Sequence, residues 1–197
     1  MKKTVRRGRP MTLVVLAGGQ SRRMGSPKAI LPVGLSTLIE ETIRPVTGEF
    51  DEILIGVSPG QSIPHPPGRL VEDAVAGQGP LRGILTGLSA ARNDACFFLA
   101  CDMPGLSLGV VRKIAGRSAG VDVAIAVTEP DLKDPLLGVY KKSVIPEIEA
   151  LLAAGERSVL ALYARIRWNE VVLKPDEIPP NINTQEEYDA WIKRRKH

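Results

Sequence analysis

Short apolar runs recur along this chain, several of them stopped by a glycine or an acidic residue. Leu13–Leu16 is continuous, partly β-branched and halted at Gly18-Gly19, which predicts a strand buried on both faces. Glu52–Val57, Arg69–Val71 and Ala95–Cys101 repeat the form, and Val121–Val127, Leu136–Tyr140 and Trp168–Leu173 add three more. Between them the apolar spacing turns helical. Leu81, Ile84, Leu85, Leu88 and Ala91 follow an i, i+3, i+4, i+7 pattern behind Pro80, which suits a first helical position. Thr37 with Glu40, and Thr184 with Glu187, have the spacing of capping boxes, the second opening a last helix through about Arg194. Ser107 predicts a cap for a helix through Ile114. Ser143–Ala154, ended by Gly155, and Ser158–Ala164 read as two further helices. Ser58–Gly68, with four prolines and two glycines, is a loop, and so is the polar stretch Glu129–Asp134.

Regular alternation of strand and helix predicts an α/β fold, a three-layer sandwich around a mainly parallel twisted sheet. Ligands of such sheets sit beyond the carboxyl ends of the strands. At 197 residues the chain has the length of one ordinary domain, placed over residues 11–192 between basic tails at 1–10 and 193–197.

Charge changes the picture only at those ends. The net charge of +4 suggests a polyanion partner, yet residues 1–10 hold five basic side chains and 193–197 hold four, with no acid in either. Without those nine, 17 basic residues face 22 acidic ones, a body near −5. The excess belongs to the termini, so no nucleic-acid surface is expected. Cys96 and Cys101 stand five residues apart on one strand, hence on opposite faces, and are not expected to pair. Two unpaired cysteines suit a reducing, cytoplasmic compartment. No apolar stretch is long enough to cross a membrane, and Leu13–Ala17 is too short for a signal-peptide core.

Three polar clusters fall at predicted strand ends: Ala17–Lys28, Glu72-Asp73 and Asp102. Glycines in the first let backbone N–H groups approach a ligand closely, while Arg22, Arg23 and Lys28 supply positive charge for phosphates. Gly25-Ser-Pro-Lys28 lacks Walker spacing, and Gly18-Gly19 does not enter a helix as the dinucleotide fingerprint requires.

The segment Leu16-Ala-Gly-Gly-x-Ser-Arg-Arg-Met-Gly-x-x-Lys28 resembles the signature of nucleotidyltransferases with a single sugar-nucleotide-transferase-like domain. The chain looks most like the molybdenum cofactor guanylyltransferase family. Val71-Glu-Asp73, Gly77-x-Gly-Pro-Leu-x-Gly83, Cys101-Asp-Met-Pro104 and Asn181-Ile-Asn-Thr-x-Glu-Glu187 continue the likeness in order over roughly residues 12–192. It implies a Rossmann-like nucleotide-diphospho-sugar transferase fold. It also implies transfer of GMP from GTP to molybdopterin cofactor, with Mg²⁺ as the metal and pyrophosphate as the leaving group. By the same resemblance, the Leu16, Ala17 and Gly18 backbone holds the base, Lys28 the phosphates and Asp73 the nucleoside. Asp102 takes the metal, with Asn183 as a further contact, and a molybdoenzyme or its chaperone receives the product.

These residue types suit the chemistry. Pyrophosphate displacement concentrates charge on phosphate oxygens, so catalysis is positioning and charge stabilisation. Mg²⁺ needs one or two carboxylates besides phosphate and water, as Asp102 offers, and Lys28 with Arg22 or Arg23 can follow the leaving charge. An anionic acceptor needs no protein nucleophile, consistent with a chain whose histidines are His65 and His197. Two positions depart from the pattern: Gly56 stands where relatives commonly have asparagine, and Asp134-Pro135 where they often have His-Pro. Ala17-Gly18-Gly19 resembles the guanine-using branch. A cytidylyl- or sugar-phosphate nucleotidyltransferase, or a non-catalytic nucleotide-binding module, remain the other readings.

Overall fold

The computed structural model describes residues 10–18, 27–74, 77, 79–129 and 132–195. Strands β1 (Met11–Leu16), β4 (Glu52–Val57), β5 (Arg69–Glu72) and β6 (Ala95–Ala100) form a parallel half-sheet, with β2 (Pro32–Val33) and β3 (Ser36–Thr37) as a small antiparallel hairpin outside it. Beyond β6 come β8 (Leu132–Lys141), β7 (Val123–Glu129) and β9 (Trp168–Val172), completing the order β5-β4-β1-β6-β8-β7-β9. β8 runs against both its neighbours, and the other adjacent pairs are parallel. The fold expected from alternation is therefore observed, with one reversed strand.

Strand alternation sends successive side chains to two different cores. Leu13, Val15, Phe97 and Leu99 pack with α1 (Leu38–Ile43) and α3 (Leu108–Arg117) on one face. Val14, Leu54, Cys96 and Phe98 pack with α2 (Gly79–Ala90), α4 (Ile145–Ala153) and α5 (Val159–Tyr163) on the other. Cys96 and Cys101 fall in these opposite cores and both are free thiols. Among the described residues no helix is long and apolar enough to cross a membrane.

The predicted caps act as read. Ser107 accepts from Val110 N–H at the start of α3, and Glu40 Oε2 accepts from Thr37 N–H at 2.6 Å. Thr184 accepts from Glu187 N–H at 3.2 Å and opens α6 (Gln185–Arg194). Lys193 and Arg194 lie in that helix, and Arg195 at its C-cap pairs with Glu41 at 2.6 Å. The basic residues 1–9 lie outside the described residues.

The expectation of a Glu129–Asp134 loop needs correction. β7 runs through Glu129 and β8 begins at Leu132, so the polar residues are the arms of a hairpin, with Lys133 opposite Val127. Polarity misled because this end of the sheet is half-exposed and tolerates charged side chains. Gly138 pairs with Ile125 but Asp134 with Ala126, so Pro135–Leu137 bulge from the ladder with β7, while Leu137 still pairs with Leu99 of β6. Proline, which cannot donate to a ladder, is tolerated at such a bulge. Tyr140 donates to Pro135 O at 2.9 Å, and its hydroxyl lies 2.8 Å from that of Tyr163, fixing the bulge to the layer below.

Candidate active site

The carboxyl ends of β1, β4, β5 and β6 surround a cleft of about 540 Å³. Leu16, Ala17 and Gly18 line it from β1, Gly56 and Ser58 from β4, Asp73 from β5 and Asp102 from β6. Gly77, Gly79, Pro80 and Gly83 form its side at the turn into α2, Leu136 closes it from the β8 bulge, and Lys28 lies at its rim. Gly77 and Gly79 hold φ of +73° and +71°, which side-chain-bearing residues adopt only under strain. The structure thus gathers Leu16, Ala17, Gly18, Lys28, Asp73 and Asp102 into one cleft. Arg22 and Arg23 lie outside the described residues.

The base of the cleft is stitched backbone to backbone. Ala17 and Gly18 both donate N–H to Gly56 O, at 2.8 and 3.0 Å, and Cys101 N–H reaches Leu16 O at 3.1 Å. Gln61 Nε2 caps Ala17 O at 3.0 Å while its Oε1 accepts Ser58 N–H at 3.2 Å. Leu16 lies between two bare glycines: a Cβ on Gly56 would be 2.8 Å from its Cδ2, and one on Gly83 3.0 Å from its Cδ1. Glycine at position 56, where asparagine was the expected pattern, therefore follows from where the Leu16 side chain sits.

At the rim, Lys28 Nζ donates to Asp102 Oδ2 at 2.7 Å and to Asn183 Oδ1 at 2.8 Å. Both ends of the ion pair are largely shielded, at 17 and 15% exposure. The C-terminal segment supplies the third member of this cluster. Ile182 donates its N–H to Asp102 O at 2.9 Å, and Asn183 N–H is held by Glu187 Oε2 at 2.6 Å. Ile182 is buried with Leu31, Val33 and Leu38, against Tyr188 and Trp191 of α6. One capping box therefore sets a helix start and an active-site carboxamide together. Thr42 Oγ1, 3.0 Å from Cys101 O, steadies the turn that presents Asp102.

Cys101 is not a reactive group: burial, then the Asp102 charge, pushes its thiol up to about 12. Asp73 Oδ1 is buried and has no hydrogen-bond partner among the described residues, although the Asp73 N–H is taken by Val57 O at 3.0 Å. An acceptor left dry in this way is a place where a ligand donor fits. Asp134 sits half-buried beside the bulge, its Oδ1 accepting Leu136 N–H at 3.0 Å. Burial raises its carboxyl above the ordinary range, Leu136 N–H opposes this, and the Asp102 charge adds to it. Among the described residues no group of three or more His, Cys, Asp or Glu forms a metal cage.

Gln61 and Leu136 are site residues that sequence reasoning missed. Gln61 sits in a proline-rich loop with no motif around it. Leu136 has the sequence pattern of an ordinary strand residue, because the bulge that re-aims it leaves no periodic signal.

A largely parallel sheet with a glycine-lined cleft at its carboxyl edge, one lysine and two aspartates defines an α/β nucleotide-handling protein. The chain belongs to the MobA-like NTP transferase domain family, whose model matches residues 13–169. A relative from Carboxydothermus hydrogenoformans named "Probable molybdenum cofactor guanylyltransferase" is 31% identical over 93% of this chain and 95% of its own. A relative of the same name from Pelotomaculum thermopropionicum is 38% identical over 81% of this chain and 78% of its own. Among solved structures, molybdopterin-guanine dinucleotide biosynthesis protein A from Archaeoglobus fulgidus superposes with a TM-score of 0.78. It covers 94% of this chain and 99% of that one at 23% identity, a likeness of fold. The family resemblance carried by the motifs is borne out.

Proposed function

We propose that the protein transfers GMP from GTP to the terminal phosphate of molybdopterin cofactor. An acceptor phosphate oxygen forms a bond to the α-phosphorus as the bond to the β-phosphate oxygen breaks, and pyrophosphate leaves with its electron pair. The observation that carries this reading is the convergence of Lys28, Asp102 and Asn183 at the carboxyl edge of the sheet, at 2.7 and 2.8 Å. Names of relatives covering nearly the whole chain support it.

Each residue has a task. The Leu16–Gly18 backbone, fixed by Gly56 and Gln61, forms a rigid shelf for the base, so little ordering is needed on binding. Asp73, with its unpartnered Oδ1, accepts from a nucleoside hydroxyl or amine. Lys28 leaves its ion pair to neutralise the phosphates, and Arg23 adds a guanidinium fork to the leaving group.

The residues fit Mg²⁺. Asp102 Oδ2 and Asn183 Oδ1 already converge on one cationic group, the Lys28 ammonium, and a carboxylate with a carboxamide suits an ion that keeps water and phosphate ligands. Mg²⁺ held there would neutralise charge on the phosphate oxygens. Asp102 and Asn183 stay fixed meanwhile through Ile182 and Glu187. The reading places the protein in the cytoplasm, where the buried thiols stay reduced, and sends its product to a molybdoenzyme or its chaperone.

Incubation with each NTP, Mg²⁺ and molybdopterin, following pyrophosphate, tests the proposal. GTP-dependent release that needs both acceptor and metal is expected. Preference for CTP, or release without acceptor dependence, overturns it.

A further inference from the structure

The floor of the cleft lacks a side chain at the place where a strand would normally present one. Gly56 is the last residue of β4 on the face toward Leu16, and Ser58, one residue beyond the end of the strand, is placed by the turn that follows. Gly56 contributes only backbone, its carbonyl is taken by Ala17 and Gly18 N–H, and Leu16 Cδ2 fills the space above it. Ser58 is the next residue of this segment to reach the cleft. It lines the cleft and is half-buried. A Cβ on Gly18 would stand 3.1 Å from Ser58 Oγ, which places the hydroxyl against the Ala17-Gly18 shelf. Among the hydrogen bonds of the described residues Ser58 Oγ makes none, whereas Ser58 N–H and C=O are both occupied within its own turn, by Gln61 Oε1 at 3.2 Å and Gln61 N–H at 3.0 Å.

Gln61 closes that turn onto the shelf. Its carboxamide reaches two chain segments at once, accepting from Ser58 N–H and donating to Ala17 O at 3.0 Å. The amide thereby fixes the separation between the Ser58 hydroxyl and the backbone beside which a base would lie. A hydroxyl can donate or accept, so alone it discriminates weakly. Locked at one height against a rigid backbone edge, it favours the base whose edge matches both.

We propose that the Ser58–Gln61 turn is the base-selecting wall of this cleft. The Ser58 hydroxyl contacts the nucleobase edge in place of a side chain at position 56, and Gln61 is the positioning residue that holds it in register with Ala17. The proposal rests on the nucleotide reading of the cleft but not on the identity of the acceptor.

Titration calorimetry of the full chain with GTP, ATP and CTP, without acceptor, tests it. Ser58→Ala is expected to weaken the preferred nucleotide about tenfold and the others less, narrowing the margin between bases. Gln61→Ala, which releases the Ser58 hydroxyl from its register with Ala17, is expected to weaken the preferred nucleotide most and so to narrow the same margin. In turnover, Gln61→Ala raises KM for the preferred nucleotide and leaves kcat near wild type. Gln61→Glu, which keeps the acceptor for Ser58 N–H but loses the donor to Ala17 O, does not restore binding. A margin between bases that Ser58→Ala leaves within about twofold of wild type overturns the proposal, and so does a Gln61→Ala variant that binds as the wild type does. If the wild type prefers CTP, the guanylyl reading fails, while the role of Ser58 is still decided by whether Ser58→Ala flattens that preference.

Discussion

Lys28 and Asp102, separated by 74 residues in the chain, meet at 2.7 Å on the rim of the cleft, and Asn183 joins the same ammonium at 2.8 Å. Lys28 follows the polar stretch after β1, Asp102 lies in the turn just beyond β6, and Asn183 is brought in by the segment before α6. The sheet order places β1 beside β6, with Leu16 opposite Ala100, so their exits are neighbours. The proximity is a property of topology.

Lys28→Met and Asp102→Asn are each expected to lower GMP transfer by at least about 10²-fold, the first by removing positive charge from the phosphates and the second by weakening the proposed hold on Mg²⁺. The double variant should lose much less than the product of the two single losses, since both residues serve to neutralise the same phosphate charge and so act as a unit. Pyrophosphate release with GTP measures all three. Multiplicative losses would mean that the two residues act independently.

Asp73 carries a cost in the unliganded protein, since a buried oxygen with no partner among the described residues loses its hydration without replacement. Asp73→Ala is expected to raise the urea midpoint by the equivalent of about 1 kcal/mol while weakening GTP binding about tenfold. A variant that loses stability instead shows that the carboxylate is satisfied within the fold.

Much of this was legible in advance for physical reasons. Buried strands such as Glu52–Val57 are apolar runs, and the Thr184/Glu187 box is a local hydrogen-bond pattern, so both are written in adjacent residues. The β7–β8 hairpin was not, because its pairing is settled by a three-residue bulge and its half-buried end carries Lys133 and Asp134. Nor was the setting of Leu16, which depends on Gly56 and Gly83 from two other elements. The Gln61 bridge is likewise a tertiary contact, spanning 44 residues to Ala17.

Two helical glycines make opposite predictions. A Cβ on Gly87 would stand 2.7 Å from Val14 Cγ1 and 2.9 Å from Phe98 Cε1, so α2 lies close on the sheet only because that position is bare. Gly87→Ala should cost about 1–3 kcal/mol by overpacking. Gly116 in α3 faces open space, and Gly116→Ala should gain about 0.5–1 kcal/mol by restricting the unfolded chain. Denaturant midpoints of the two variants decide; equal shifts would contradict the packing.

Asp134 predicts a pH dependence opposite in sign to that of an ordinary paired carboxylate. Burial raises its carboxyl above the usual 3.8, and Asp102 adds like-charge repulsion, while the Leu136 N–H bond opposes both. The folded state therefore holds the proton more tightly than the unfolded chain. Its stability cost is absent below about 3.8, grows as pH rises through the raised folded value, and is fully present above it. Asp134→Asn keeps an oxygen for Leu136 N–H but cannot ionise. Its thermal midpoint should exceed that of the wild type near neutral pH, with the two curves converging in acid below the ordinary aspartate range. A gap that widens in acid would mean that the carboxylate is stabilised in the fold, with its proton affinity lowered.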